Sequence, residues 1–207
     1  MFFEPMDFKA AGLAHNPLKA LIAPRPIGWI SSCGNDGSVN LAPYSFFNAV
    51  SDDPGIVVFS VQVAPDGHHK DSLRNVTETG AFTVNIVGAA QMNEMNISSG
   101  SYPYGTNEFE ASGLEMVAGT TIPVPRVGNI PAALECTHLQ SVKLTENDRG
   151  GHYVAVFGTI VGIYVDEAVV VNGKLDPRLI KPVARMGYRD YAHINDFFEM
   201  PRPEVKS

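Results

Sequence analysis

Strand-forming runs in this chain are joined by turn signals and seldom by a segment long enough to cross over a sheet. That pattern constrains the fold most. Parallel strands need a crossover of a dozen or more residues, whereas antiparallel neighbours need only a tight turn. Residues 25–32 read as a strand beginning after a proline pair. Asn35-Asp36-Gly37 then tolerates the positive φ of a hairpin, and residues 39–48 return as the second strand. Residues 55–63 are rich in β-branched side chains and bounded by Pro54 and Pro65, which marks a buried strand. Residues 81–87 form another. Two longer runs, 133–145 and 152–165, are separated by the turn Asn147-Asp148-Arg149-Gly150-Gly151, and Asn172-Gly173 marks a further short turn. Six or seven strands joined mainly by hairpins predict a mainly β protein with an antiparallel sheet. Closing that sheet into a β-barrel with peripheral helices removes exposed edges.

The helices are few and short. Residues 70–79 predict one, with Asp71 or Ser72 as its cap, Leu73 and Val76 as its apolar stripe and Gly80 as its stop. Residues 89–97 predict another, residues 98–105 a loop, and residues 123–131, with three prolines, an extended connector. At 207 residues the chain fits one domain, 1–207, with an N-terminal arm or short helix over 1–16 and a tail over 193–207. Its 44% hydrophobic content argues against disorder. With 15 basic and 22 acidic residues the net charge is −7, so a nucleic-acid partner is not expected and any anion site must be local. Cys33 and Cys136 have no ligand spacing around them, so they read as free thiols and no metal is expected. No leader pattern and no membrane-length apolar run is visible, so the expected location is cytoplasmic, with no membrane partner.

Three segments invite chemistry. His68-His69-Lys70-Asp71-Ser72 opens the helix predicted over 70–79, and a helix N-terminus offers free N–H groups and a partial positive charge to a phosphate. A solvated helix start capped by Asp71 is the plain alternative. In residues 40–48, Asn-Leu-Ala-Pro-Tyr-Ser-Phe-Phe-Asn, small, aromatic and polar residues interleave, and Pro43 cannot donate to a ladder, which suggests an edge or irregular strand. Its backbone groups suit the polar edge of a flat ligand, while Tyr44, Phe46 and Phe47 equally suit a core. Trp29, the only tryptophan, shares a face with Ile27 and lies opposite Ile30, consistent either with core packing or with stacking on a ring. No G-x-S-x-G elbow, phosphate-binding P-loop, H-E-x-x-H or G-x-G-x-x-G occurs.

Taken together and in order, these segments resemble a known family. Residues 25–32, Arg-Pro-Ile-Gly-Trp-Ile-Ser-Ser, then residues 40–51, then Lys70-Asp71-Ser72-Leu73-Arg74-Asn75 are similar to the flavin reductase-like family of FMN-binding split-barrel proteins. The likeness continues through residues 79–85, 108–114, 131–136 and 185–191, and spans about residues 17–192. It implies a homodimer of six-stranded antiparallel split barrels, Greek-key-like, with FMN rather than FAD in a groove at or near the dimer interface. It implies an NAD(P)H-dependent FMN reductase that supplies reduced flavin or electrons to a partner such as a monooxygenase. An electron carrier without its own nicotinamide site, like flavoredoxin, or a non-catalytic flavin-binding protein, remains an alternative. The family includes proteins related to the reductase component of nitrilotriacetate monooxygenase. Carried over by position, Trp29, Ser31 and Ser32 lie beside the flavin. Ala42, Tyr44, Ser45, Phe46 and Asn48 contact it, and Lys70, Asp71 and Ser72 hold its phosphate, with His68 or His69 nearby. The loop 98–107, with Tyr102 and Tyr104, either covers the flavin face or is an ordinary surface loop. No catalytic residue is implied, because the cofactor carries the hydride chemistry.

Overall fold

The computed structural model describes residues 1–66, 70–194 and 196–203. Seven strands form one antiparallel sheet: β1 (Gly28–Cys33), β2 (Val39–Tyr44), β3 (Phe47–Asp52), β4 (Gly55–Val63), β5 (Ala81–Ile86), β6 (Ala132–Lys143) and β7 (His152–Val165). Their order across the sheet is β2-β1-β5-β6-β7-β4-β3. The two outermost strands, β2 and β3, are therefore consecutive in sequence, so the chain itself brings the sheet edges together. Only Ser45 and Phe46 separate them. The Phe46 carbonyl accepts the Ser60 N–H at 2.9 Å, and the Tyr44 and Phe59 rings meet across the seam at 5.2 Å. The sheet thus curls into a barrel that is split where β2 and β3 fail to pair.

The sheet has seven strands, within the six or seven read from the turn pattern and one more than the resemblance implied, and residues 39–48 are not one strand. The chain bends at Ser45-Phe46 and resumes as β3, which pairs with β4 instead of β1. Pro43 lies on β2 at the sheet edge, as its missing N–H requires. Strand alternation sorts the two faces. Ile30, Val57, Phe59, Val61, Phe82, Val84, Cys136 and Val156 turn into the barrel. Ile27, Trp29, Leu41 and Ala133 turn outward against Val87, Met95, Phe109, Val127 and Ile130 from the segments outside the barrel. Each of the larger side chains buried this way contributes roughly 1.5–3 kcal/mol.

Helix α1 (Asp71–Thr79) packs on β1, β2 and β5, burying Ser72, Leu73, Asn75 and Val76. It ends at Gly80, which takes the left-handed conformation at φ 76°. Neither Asp71 nor Ser72 is its cap. Lys70 occupies that position with an extended backbone and no side-chain cap bond. The expected 89–97 helix is a 3₁₀ turn (Ala89–Gln91) followed by α2 (Met92–Ile97), and α3 (Glu108–Ala111) follows the loop 98–107. The first 16 residues form turns only. Cys33 and Cys136 are free thiols. No helix among the described residues is long and apolar enough to cross a membrane.

Candidate functional site

Because Pro43 ends the sheet at β2, the outer edge of that strand is open to other partners. The register Ser31↔Leu41 and Trp29↔Pro43 puts the backbone groups of Leu41 and Pro43 on that outer side. The Leu41 N–H donates to Glu108 Oε2 at 2.9 Å, so α3 closes one stretch of the edge. The remainder borders a hollow of about 220 Å³. Ala42, Pro43 and Tyr44 form its strand wall, Lys70 and Asp71 its helix wall, and Ser98, Ser99, Gly100 and Tyr102 its loop wall. A second hollow of about 200 Å³ adjoins it, sharing Pro43 and Ser99 and reaching Lys19, Ser45 and Arg185. Either alone falls short of the roughly 300–1,000 Å³ of a small-molecule site, and together they reach it.

The first hollow is held by a buried polar junction. Ser72, with no exposed surface, accepts hydrogen bonds from Asn40 Nδ2 at 2.8 Å and from the Tyr44 hydroxyl at 3.0 Å. Helix and strand are thereby pinned at one atom. Burial pushes the Tyr44 phenol up to about 12, so it stays protonated and donates. Glu108, also buried, has its carboxyl raised above the usual range by desolvation, with the Leu41 N–H opposing the shift. On the loop side the Tyr102 hydroxyl donates to the Ile97 carbonyl at 3.2 Å, and its ring packs so close to Gly100 that a Cβ there would lie 2.8 Å from it.

The eleven anticipated residues divide by this geometry. Ala42, Tyr44, Lys70 and Asp71 line the first hollow, and Ser45 lines the second. Ser72 sits directly behind the first, holding Tyr44 and Asn40. Trp29 is fully buried, and its Nε1 donates to Ser98 Oγ at 2.9 Å, so it anchors the start of the loop and does not line either hollow. Ser31 and Ser32 are also fully buried. Ser31 donates to the Pro125 carbonyl at 2.6 Å, and Ser32 accepts from Asn75 Nδ2 at 3.2 Å. Phe46 is partly exposed beside Lys19 and Arg25, and its ring meets that of Tyr153. Asn48 is exposed on β3, its side chain accepting the N–H of Ala49. His68 and His69 lie outside the described residues. In the loop, Tyr102 faces the first hollow, while Tyr104 donates to Asp36 at 3.1 Å and stacks under Arg74.

Several lining residues escaped the sequence reading: Asn40, Glu108, Ser99, Lys19 and Arg25. Asn40, Glu108, Arg25 and Arg185 stand inside quoted motifs, but only the three-dimensional approach of α3 and the C-terminal segment aims them at β2. Among the described residues no group of three or more His, Cys, Asp or Glu is placed to hold a metal ion.

The model of the flavin reductase like domain matches residues 21–177. The chain belongs to this flavin reductase-like family. It is 36% identical to an uncharacterized protein of Deinococcus radiodurans over 193 residues, 89% of this chain and 82% of that one. Among solved structures, nitrilotriacetate monooxygenase component B from Bacillus cereus superposes with a TM-score of 0.88 at 27% identity, covering 97% of this chain and 98% of that one. The 2-nitrobenzoate 2-nitroreductase of Pseudomonas fluorescens superposes at 0.80 with 29% identity, over 93% and 94% of the two chains. Flavoredoxin of Desulfovibrio vulgaris shares the fold, at a TM-score of 0.74 over 86% of this chain and 90% of that one, with 22% identity.

Proposed function

We propose that this protein is an FMN-binding oxidoreductase, an NAD(P)H:FMN reductase that passes reduced flavin or electrons to an acceptor such as a partner monooxygenase. The observation that carries this reading is the paired hollow along the unpaired edge of β2, in a chain of the flavin reductase-like family. An elongated ligand with a flat polar-edged ring and a phosphate tail suits it. The strand edge offers backbone groups to a ring edge, and Lys70 at the uncapped start of α1 offers an ammonium and a helix terminus to an anion. Ala42 presents only a methyl group to the hollow, and Gly100 lets the Tyr102 ring pack against the loop wall.

When bound, FMN supplies hydride and electron transfer at its ring. The protein's own residues bind, orient and exclude water. In this reading Lys70 pairs with the phosphate, and Asp71 and Ser72 serve that end through their positions on the first turn of α1. Tyr44 and Ser45 flank the ring, and Tyr102 covers the loop side. Trp29 acts at one remove, holding Ser98 and with it the loop. Holding a nicotinamide donor within about 3–3.5 Å of the flavin is then a matter of packing and needs no acid or base.

The homodimer belongs to the same proposal. The two long strands expose Leu139, Val142, Val161 and Ile163, and an apolar surface of this kind favours a covering partner. The decisive experiment records the visible flavin band of the purified protein and follows NADH and NADPH oxidation with added FMN. Turnover with either cofactor supports the reductase. Bound flavin without turnover favours the electron carrier, and no flavin uptake removes the proposal.

A further inference from the structure

The second hollow is built from positive charge. Arg25 lies in a two-residue strand (Arg25–Pro26) that pairs with Val183–Arg185, and the register sets Arg25 directly opposite Arg185. Like charges directly opposite on an antiparallel pair destabilise it. Lys19 lines the same hollow, and no carboxylate does. None of the three cations is in an ion pair among those described. Arg25 is 94% buried, by its relative exposure of 6%. Its terminal nitrogens are spent on the carbonyls of Lys19, Ile22 (2.6 Å) and Met186 (3.0 Å), and its Nε has no partner. Arg185 keeps one bond, to the Tyr188 carbonyl at 2.7 Å. The ring of Phe46, 5.6 Å from the Lys19 ammonium and 5.9 Å from the Arg25 guanidinium, and that of Tyr191, 4.3 Å from Arg185, give partial compensation.

Two guanidinium groups and an ammonium that converge on one hollow repel each other, and an oxyanion among them relieves that repulsion. We infer that the Lys19, Arg25 and Arg185 hollow is an oxyanion subsite, distinct from the Lys70 end of the groove, that takes a phosphate or carboxylate group. Arg185 and Lys19 meet the anion. Arg25 is a positioning residue, its guanidinium tying residues 19–22 to the C-terminal segment and adding its charge from behind. The contrast with the first hollow supports the assignment, since Lys70 there faces Asp71 and Glu108. The oxyanion arrives either on the molecule that exchanges electrons with the flavin or on the flavin itself; in the second case the flavin phosphate lies here and Lys70 does not hold it. This extension rests on the FMN reading only for the identity of the ligand.

The test begins with flavin-free full-length protein titrated calorimetrically with inorganic pyrophosphate at low ionic strength. The expected result is saturable binding that weakens at least tenfold in Arg185→Gln and in Lys19→Gln. Binding stays unchanged in Lys174→Gln, an exposed lysine on another hairpin. No binding by the wild type, or equal affinities in all variants, would overturn the subsite. Two further arms identify the source. If the second substrate carries the anion, Arg185→Gln raises the KM for NADH or NADPH at least fivefold more than that for neutral 1-benzyl-1,4-dihydronicotinamide. If the flavin phosphate occupies the hollow, the same variant lowers the FMN-to-riboflavin affinity ratio at least tenfold. Pyrophosphate binding with this dependence in a protein that takes up no FMN would leave the subsite standing and retire the flavin reading.

Discussion

Single residues at this site carry either charge or geometry, and their substitutions separate the two. Lys70 is exposed and makes no cap, so Lys70→Ala leaves the fold intact. It is expected to weaken FMN binding by about 1–3 kcal/mol, the range for a lost charge-assisted hydrogen bond, as read by fluorescence titration. Ser72→Ala does the reverse. It strands two buried donors, on Asn40 and Tyr44, and is expected to cost about 1–3 kcal/mol in urea unfolding before any ligand is added. Glu108 adds a pH dependence. Its carboxyl is raised in the folded state, so the unfolded chain releases that proton first. The associated stability is fully present below the ordinary glutamate value of about 4.3 and is lost as pH rises through the folded value. Glu108→Gln still offers an oxygen to the Leu41 N–H, and a flatter stability profile above that pH is the expected outcome. An unchanged profile would remove Glu108 as its source.

At the scale of elements, the groove exists because one strand stops pairing. Pro43 was legible as an edge residue because a missing N–H is a local fact. The bend at Ser45-Phe46 was not, since Ser-Phe-Phe reads as uninterrupted strand until β4 claims residues 47–52. The loop 98–107 is pinned at its start and its middle by contacts that no local pattern announces: Trp29 to Ser98, and Tyr104 to Asp36 and Arg74. Asp36 in turn is held low, at about 2, chiefly by the Ser38 hydroxyl and N–H and then by Tyr104. Tyr104→Phe removes the outer tether while Ser98 keeps the inner one. Faster amide hydrogen exchange over residues 101–106, with global stability changed by less than about 1 kcal/mol, is the expected result.

For the whole molecule, barrel closure sets the tightest tolerances. Gly158 on β7 passes against the Phe82 ring and Cys136, and a Cβ there would overlap that ring. Gly158→Ala is therefore expected to destabilise the protein by about 1–3 kcal/mol, measured by denaturant unfolding, through overpacking of the barrel interior. The antiparallel class, the barrel, helix α1 and the edge character of β2 were all determined by the sequence alone. Each follows from information confined to a few neighbouring residues: turn chemistry, β-branching, an apolar stripe, a missing donor. The ordered motifs also carried the family. Tertiary structure alone decided which motif residues face the groove. Ser31, Ser32 and Trp29 sit in the same motif as Arg25, yet Ser31 is buried against Pro125, Ser32 against Asn75 of α1 and Trp29 against Ser98, while register brings Arg25 opposite Arg185, 160 residues away. A charge pair set by register is invisible to any local pattern, because its energy depends on which distant strand the barrel places alongside.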